Sequence, residues 1–180
     1  ATQKRIADLG EKLVVENGLS MEDFSFKVIN SAEVNAVTLP GGYIYVFKGL
    51  IDFMPSDDEI AAVIGHEIGH VMGNHLARRQ REALLTTIIG AILGGPEAAI
   101  AANAALASLP AYNQRDEREA DDSGYKYMVG ADMNPYAILV VMHKLGETTN
   151  PQIRSNFSVH PEPLERAARI SKYLQNMQIK

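Results

Sequence analysis

Three histidines and one glutamate fall within twelve residues, "IGHEIGHVMGNH", from Ile64 to His75. On a helix, residues four apart lie on one face about 40° out of line, so the imidazoles of His66 and His70 can converge on one ion. Glu67 stands about 100° round from His66, close enough to meet a water on that ion without ligating it. This is the mechanical content of H-E-x-x-H: two histidines bind zinc, and the glutamate is the general base that acts on the zinc-activated water. The alternative is a helix whose polar stripe happens to contain histidine. The sequence has no cysteine, so any metal must be held by histidine and carboxylate.

A catalytic zinc needs a third protein ligand and an open position. His75 is near in sequence, but the metzincin spacing would put a histidine at position 76, which is Leu. His75 is therefore expected to be packed or solvent-facing. The stretch "NQRDEREADDSGYKYM" offers a better donor. On a helix, Glu117, Ala120, Asp121, Gly124 and Met128 share one face, while Arg115, Arg118, Glu119, Asp122 and Lys126 lie elsewhere and can pair at i,i+4, as Arg115 with Glu119 and Arg118 with Asp122. Two inward carboxylates among small and apolar residues demand a cation. Zinc meets that demand if Glu117 is the third ligand. Asp121, one turn on, would accept a hydrogen bond from the non-metal nitrogen of a ligand histidine. The structural alternative is a buried ion pair with an arginine from another element.

The elements that must position these residues are legible in outline. Ile6, Leu9, Leu13 and Val14 mark an amphipathic helix over residues 1–17, stopped by Asn17-Gly18. "FSFKVIN" alternates, and "NAVTLPGGYIYVFKG" reads as two β runs joined by Pro40-Gly41-Gly42, which predicts a small antiparallel sheet. Ser56 with Glu59 forms a capping box, so a helix should begin near Asp57 and carry His66 and His70. A charged helix is expected from beyond Ala111 to about Met128, another from Asn134-Pro135 to Leu145, and a last one near 161–177, opening at His160-Pro161.

Residues 83–109 are almost uncharged but are split by "GGPE" at 94–97. Neither half reaches the roughly 20 residues of a membrane span. An apolar helical hairpin is expected there, buried, covering a cleft, or touching a membrane surface.

At 180 residues, with 46% apolar and 22% charged side chains, the chain fits one globular domain over 1–180, mainly α with a small sheet (α+β). A net charge of −5 disfavours nucleic acid as a partner.

"HEIGHVMGNH", "NQRDEREADDSGY" and the upstream "VNAVTLPGGYIYVFKGLI" together resemble the zinc metallopeptidases of the type 1 CAAX prenyl endopeptidase and HtpX-like family, gluzincins whose second metal helix carries E-x-x-x-D. The resemblance covers roughly residues 30–170. It implies a zincin-like domain, one zinc per chain on His66, His70 and Glu117, Glu67 as catalytic acid/base, and Asp121 bonded to a ligand. Integral-membrane members carry long spans that this chain lacks, so it is similar to the soluble branch. Its members are often exported to the bacterial periplasm and linked to outer-membrane protein quality control. The resemblance therefore implies a periplasmic location rather than a cytoplasmic one, with the signal peptide absent from this sequence. Peripheral contact with the membrane or with outer-membrane proteins would follow.

"NAV" and Thr38, at Asn35, Ala36, Val37 and Thr38, lie just before the Pro-Gly-Gly turn, where an extended peptide could add to a sheet edge by main-chain hydrogen bonds. An ordinary edge strand is the plainer reading. His160 can be a plain helix cap, or a neutral imidazole that binds metal or donates to an oxyanion. The family pattern adds the possibility that His160 blocks the water position, giving a latent enzyme or a chaperone-like binding module. Arg166 also matches a family position and could orient substrate or stabilise charge. The expected activity is zinc-dependent endopeptidase cleavage of protein or peptide substrates, with unfolded or misassembled envelope proteins as the substrate class.

Overall fold

A computed structural model of the chain describes residues 1–85 and 112–178. The apolar hairpin expected at 83–109 lies for the most part outside these described residues. The elements, in order, are α1 (Thr2–Val15), β1 (Ser25–Ile29), β2 (Ala36–Leu39), β3 (Tyr43–Phe47), α2 (Lys48–Phe53) and α3 (Asp57–Met72); then come α4 (Gln114–Gly130), α5 (Ala137–Glu147), α6 (Pro151–Asn156) and α7 (Pro163–Gln178). A further helical stretch occupies 75–85. The architecture is the expected one, mainly helical around a small sheet.

Helix α3 is the axis of the molecule. It begins where the capping box requires: Ser56 Oγ accepts from the Glu59 amide at 3.1 Å, and Asp57, Asp58 and Glu59 fill the electropositive first turn. From Glu59 to His70 only His66 is not buried, because α1, α4, α5 and the sheet pack around it. The core joins Ile6, Leu13, Ile44, Ile60, Ile64, Met128 and Ile138 from these elements.

Two glycines set how close α4 comes. A Cβ on Gly69 would sit 2.8 Å from both Cα and the carbonyl oxygen of Ala120, and one on Gly65 would sit 3.4 Å from Gly124 Cα. The two backbones therefore touch without intervening side chains. That closeness lets short carboxylate side chains on α4 reach the histidines of α3.

The sheet corrects one expectation. Its order is β1-β3-β2, with β2 and β3 antiparallel but β1 parallel to β3, so it is mixed. Residues 30–35 are long enough to carry the chain past the place β3 later fills, and the Pro40-Gly41-Gly42 turn then folds β3 back between its neighbours. Gly42 has φ +74, and a Cβ there would lie 1.8 Å from the Asp23 carbonyl oxygen, so this turn admits only glycine. The outer edge of β1 is capped by α1: Gln3 Nε2 donates to Phe26 O at 2.9 Å, and Gln3 Oε1 accepts from Val28 N at 2.8 Å. The outer edge of β2 is the one left facing the α3 side.

The final helix starts at Pro163 rather than Pro161. His160 instead follows a 3-10 turn, Phe157–Val159, with its amide donating to Phe157 O at 3.0 Å. Among the described residues, no helix is long and apolar enough to cross a membrane.

Candidate metal centre

Helix α3 presents His66 and His70 to Glu117 on α4, and the turn before α7 brings His160 to the same point. One ligand atom from each of these four residues lies within 4.8 Å of the others. His66 Nε2 and His70 Nε2 are 3.0 Å apart, and His160 Nδ1 is 3.3 Å from His66 Nε2 and 3.0 Å from Glu117 Oε1. Glu117 Oε1 also lies 3.3 Å from His70 Nε2.

Three imidazole nitrogens facing one another cannot all be satisfied by hydrogen bonds, since each pair needs one proton and one lone pair. Glu117 Oε2, buried and ion-paired with Arg166, has no well-formed hydrogen bond either. A cation reconciles this N₃O donor set, and its chemistry suits a divalent ion such as zinc.

The surroundings polarise each member. Burial drives the His70 imidazole down to about 2, against the pull of Glu117, so this ring is neutral at ordinary pH. Burial is the largest influence on His66 and opposes its charge, but the bond to Asp121 together with the negative charges of Glu117 and Asp121 carries the net direction upward. Burial would raise the Glu117 carboxyl, yet His160 and His70 together hold it well below the usual carboxylate range. Asp121 is likewise resisted by burial but brought down to about 2 by His66 and Arg166.

Asp121, one turn beyond Glu117, places its Oδ1 3.0 Å from His66 Nδ1, the nitrogen facing away from the cluster. Arg166 reaches it with two bonds, Nε to Oδ2 at 3.0 Å and Nη2 to Oδ1 at 2.5 Å, and also pairs with Glu117. The guanidinium thus braces both buried carboxylates.

Glu67 lies beside the cluster. Its Oε2 accepts a hydrogen bond from Thr38 Oγ1 at 2.5 Å, and its Oε1 is 3.6 Å from His160 Nε2. Two openings meet here. A groove runs between β2, at Ala36, Val37 and Thr38, and Arg79 with Tyr112, with Glu67 and His160 in its floor. Asn35 sits at its head, its carbonyl taken by Phe47 N at 3.1 Å. A second pocket, on the Arg166 side, is walled by Val63, Ile138, Val141, Met142 and Phe157 and opens onto His66, Glu67 and His160.

Several contacts were not foreseen. His75 is wholly buried, with Nδ1 2.8 Å from His70 Nδ1 and Nε2 3.1 Å from Glu119 Oε2. Tyr112 stacks on the His70 ring at 3.9 Å and carries the Arg79 guanidinium 4.0 Å over its other face. Arg115 pairs with Glu119 as expected, but Asp122 pairs with Arg169 at 2.7 Å instead of Arg118. The Gly-Asn pair before His75 was the available signal, for it marks a tight reversal; partners from remote elements leave no local trace.

A buried His-Glu-x-x-His helix facing a glutamate on a second helix, on a helical domain with an edge strand above it, defines a zincin-like metallopeptidase. The chain belongs to peptidase family M48, whose pattern it matches over residues 1–174. It is 31% identical to metalloprotease LoiP of Escherichia coli (strain K12) over 93% of this chain and 68% of that protein. It is also 31% identical to the beta-barrel assembly-enhancing protease of the same organism, over 91% of this chain but only 37% of that protein. Metalloprotease YcaL of Escherichia coli is 28% identical, over 93% of this chain and 68% of that protein. The chain therefore spans about two thirds of two of these relatives and little more than a third of the other.

Proposed function

We propose that this chain is a zinc-dependent endopeptidase acting on extended segments of unfolded or misassembled protein. The observation that carries the reading is the convergence of His66 Nε2 and His70 Nε2, 3.0 Å apart, on the Glu117 carboxylate, with Glu67 free of that cluster but beside it. In this reading His66, His70 and Glu117 hold one zinc ion, which supplies Lewis acidity to a water and to the scissile carbonyl. Glu67 takes the proton of the attacking water and returns it to the leaving amine. Asp121 fixes the His66 ring, and Arg166 keeps Glu117 and Asp121 ionised and in place. Substrate lies along Asn35–Thr38, adding a strand to β2 through main-chain hydrogen bonds that do not depend on sequence.

A second reading has its own support. His160 Nδ1 stands among the ligand atoms and its Nε2 faces Glu67, so His160 occupies the side from which water and substrate must come. A closed, four-donor centre is the mark of a structural rather than a catalytic zinc site. This geometry fits a latent state, which opens when the turn carrying His160 swings away.

The likeness to a beta-barrel assembly-enhancing protease supports envelope proteins as substrates, with the periplasm as the working compartment and peripheral contact with outer-membrane proteins. The test pairs zinc analysis with casein cleavage for wild type, Glu67→Gln and His160→Ala. One zinc per chain, cleavage abolished in Glu67→Gln, and cleavage kept or raised in His160→Ala are expected. Stoichiometric zinc without cleavage by any variant would favour a binding module, and failure to bind zinc would remove the metallopeptidase mechanism.

A further inference from the structure

We infer that His75 is a positioning residue for the metal centre, accepting a hydrogen bond at its Nδ1 from His70 Nδ1–H and donating one from its own Nε2–H to Glu119. This rests on the metallopeptidase reading above and concerns how the His70 ligand is held.

Two ring nitrogens 2.8 Å apart require one donor and one acceptor. Suppose His75 Nδ1 were the donor. Neutral His70 would then carry its proton on Nε2, aimed into the ligand cluster, and His75 Nε2 would turn a bare lone pair toward Glu119 Oε2 at 3.1 Å. The opposite assignment conflicts with nothing: His70 offers its Nε2 lone pair to the cluster, His70 Nδ1–H meets the bare His75 Nδ1, and His75 Nε2–H meets a carboxylate. The geometry thus selects the tautomer that a metal ligand needs. His75 and His70 are both fully buried, so in the folded chain the His70 Nδ1 is shielded from bulk water and His75 is the group it meets.

The backbone is bent to make this contact. Asn74 adopts a left-handed conformation, φ 51, which reverses the chain between α3 and the helical stretch at 75–85. Gly73 leaves room for the ring: a Cβ there would lie 2.0 Å from His75 Nε2. The far end of the relay is anchored as well, with Glu119 accepting from Arg115 Nε at 2.8 Å and lying 3.5 Å from Arg78. Arg78 also pairs with the buried Asp116. Atoms of His75, Asp116 and Glu119 are close enough to bind an ion of their own, but this guanidinium already supplies the positive charge there.

The test measures the zinc dissociation constant by chelator competition, together with histidine-ring 1H–15N spectra and apo-protein melting. It compares wild type with His75→Leu, His75→Asn and Glu119→Leu. Expected are one zinc per chain, a His70 ring protonated at Nδ1, and a 10- to 100-fold loss of zinc affinity in His75→Leu. His75→Asn, whose amide oxygen can still accept from His70, should recover most of that loss. Glu119→Leu, altered at a half-exposed position, should weaken zinc in the same direction even if His75→Leu fails to fold. Zinc binding and His70 tautomer unchanged in His75→Leu and Glu119→Leu would overturn this inference alone. Two zinc ions per chain would overturn it in favour of a second site at His75. A wild-type chain that binds no zinc would overturn the metallopeptidase reading itself.

Discussion

Thr38 Oγ1 donates a 2.5 Å hydrogen bond to Glu67 Oε2, tying the edge strand to the side chain proposed as general base. A hydroxyl in that position orients the carboxylate and leaves its other oxygen for the water. Thr38→Val keeps the shape and removes the donor. Its kcat should fall about tenfold, equivalent to ~1.4 kcal/mol in the barrier, with zinc content unchanged. Thr38→Ser should restore it. Equal kcat for all three proteins would show that the bond plays no part in turnover.

Gly69→Ala and Gly65→Ala make a matched pair. At Gly69 the added methyl meets the Ala120 backbone at 2.8 Å, and neither helix can yield without carrying Glu117 off the histidines. At Gly65 the nearest atom is at 3.4 Å, close to ordinary contact. Gly69→Ala should cost about 1–3 kcal/mol of stability and weaken zinc binding, whereas Gly65→Ala should change both little. Thermal melts with and without chelator distinguish the two.

The pocket beside His66 and Glu67 is walled by Val63, Ile138, Val141, Met142 and Phe157, so a large apolar side chain next to the scissile bond should be preferred. Met142→Trp would fill it. A peptide-library digest should then shift toward small residues at that subsite, and an unchanged cleavage pattern would place the specificity elsewhere.

Without metal, stability should decline on acidification, and the sign follows from the rings and carboxylates together. His70 is held at about 2, against about 6.5 unfolded, so below pH 6.5 the unfolded chain takes up a proton that the folded one refuses. That loses about 1.4 kcal/mol per pH unit. Asp121, at about 2, and Glu117, also depressed, contribute stability above about pH 4 that is lost as pH falls further. His66 is raised and acts oppositely: its contribution is present below about pH 6.5 and fades as pH rises through its folded value. Melting temperatures of the chelated protein from pH 7 to pH 4.5 check this. A flat profile would mean that His70 is not held neutral.

The sequence alone determined whatever depends on residues near one another along the chain. The Ser56 cap fixed the start of α3, helical periodicity put His66 and His70 on one face, and the same periodicity turned Glu117 and Asp121 inward together. These follow from 3.6 residues per turn and need no knowledge of distant partners. Tertiary structure decided the rest. Strand order and the parallel pairing of β1 depend on which edge Gln3 caps and on where residues 30–35 cross. The burial of His75, the Tyr112 stack, the Thr38 bond and the approach of His160 each join side chains from remote segments. Their type and local spacing carry no record of the partner. Packing α4 against two glycines of α3 brings Glu117 within ångströms of His66 and His70, and that close approach turns a histidine pattern into a candidate metal centre.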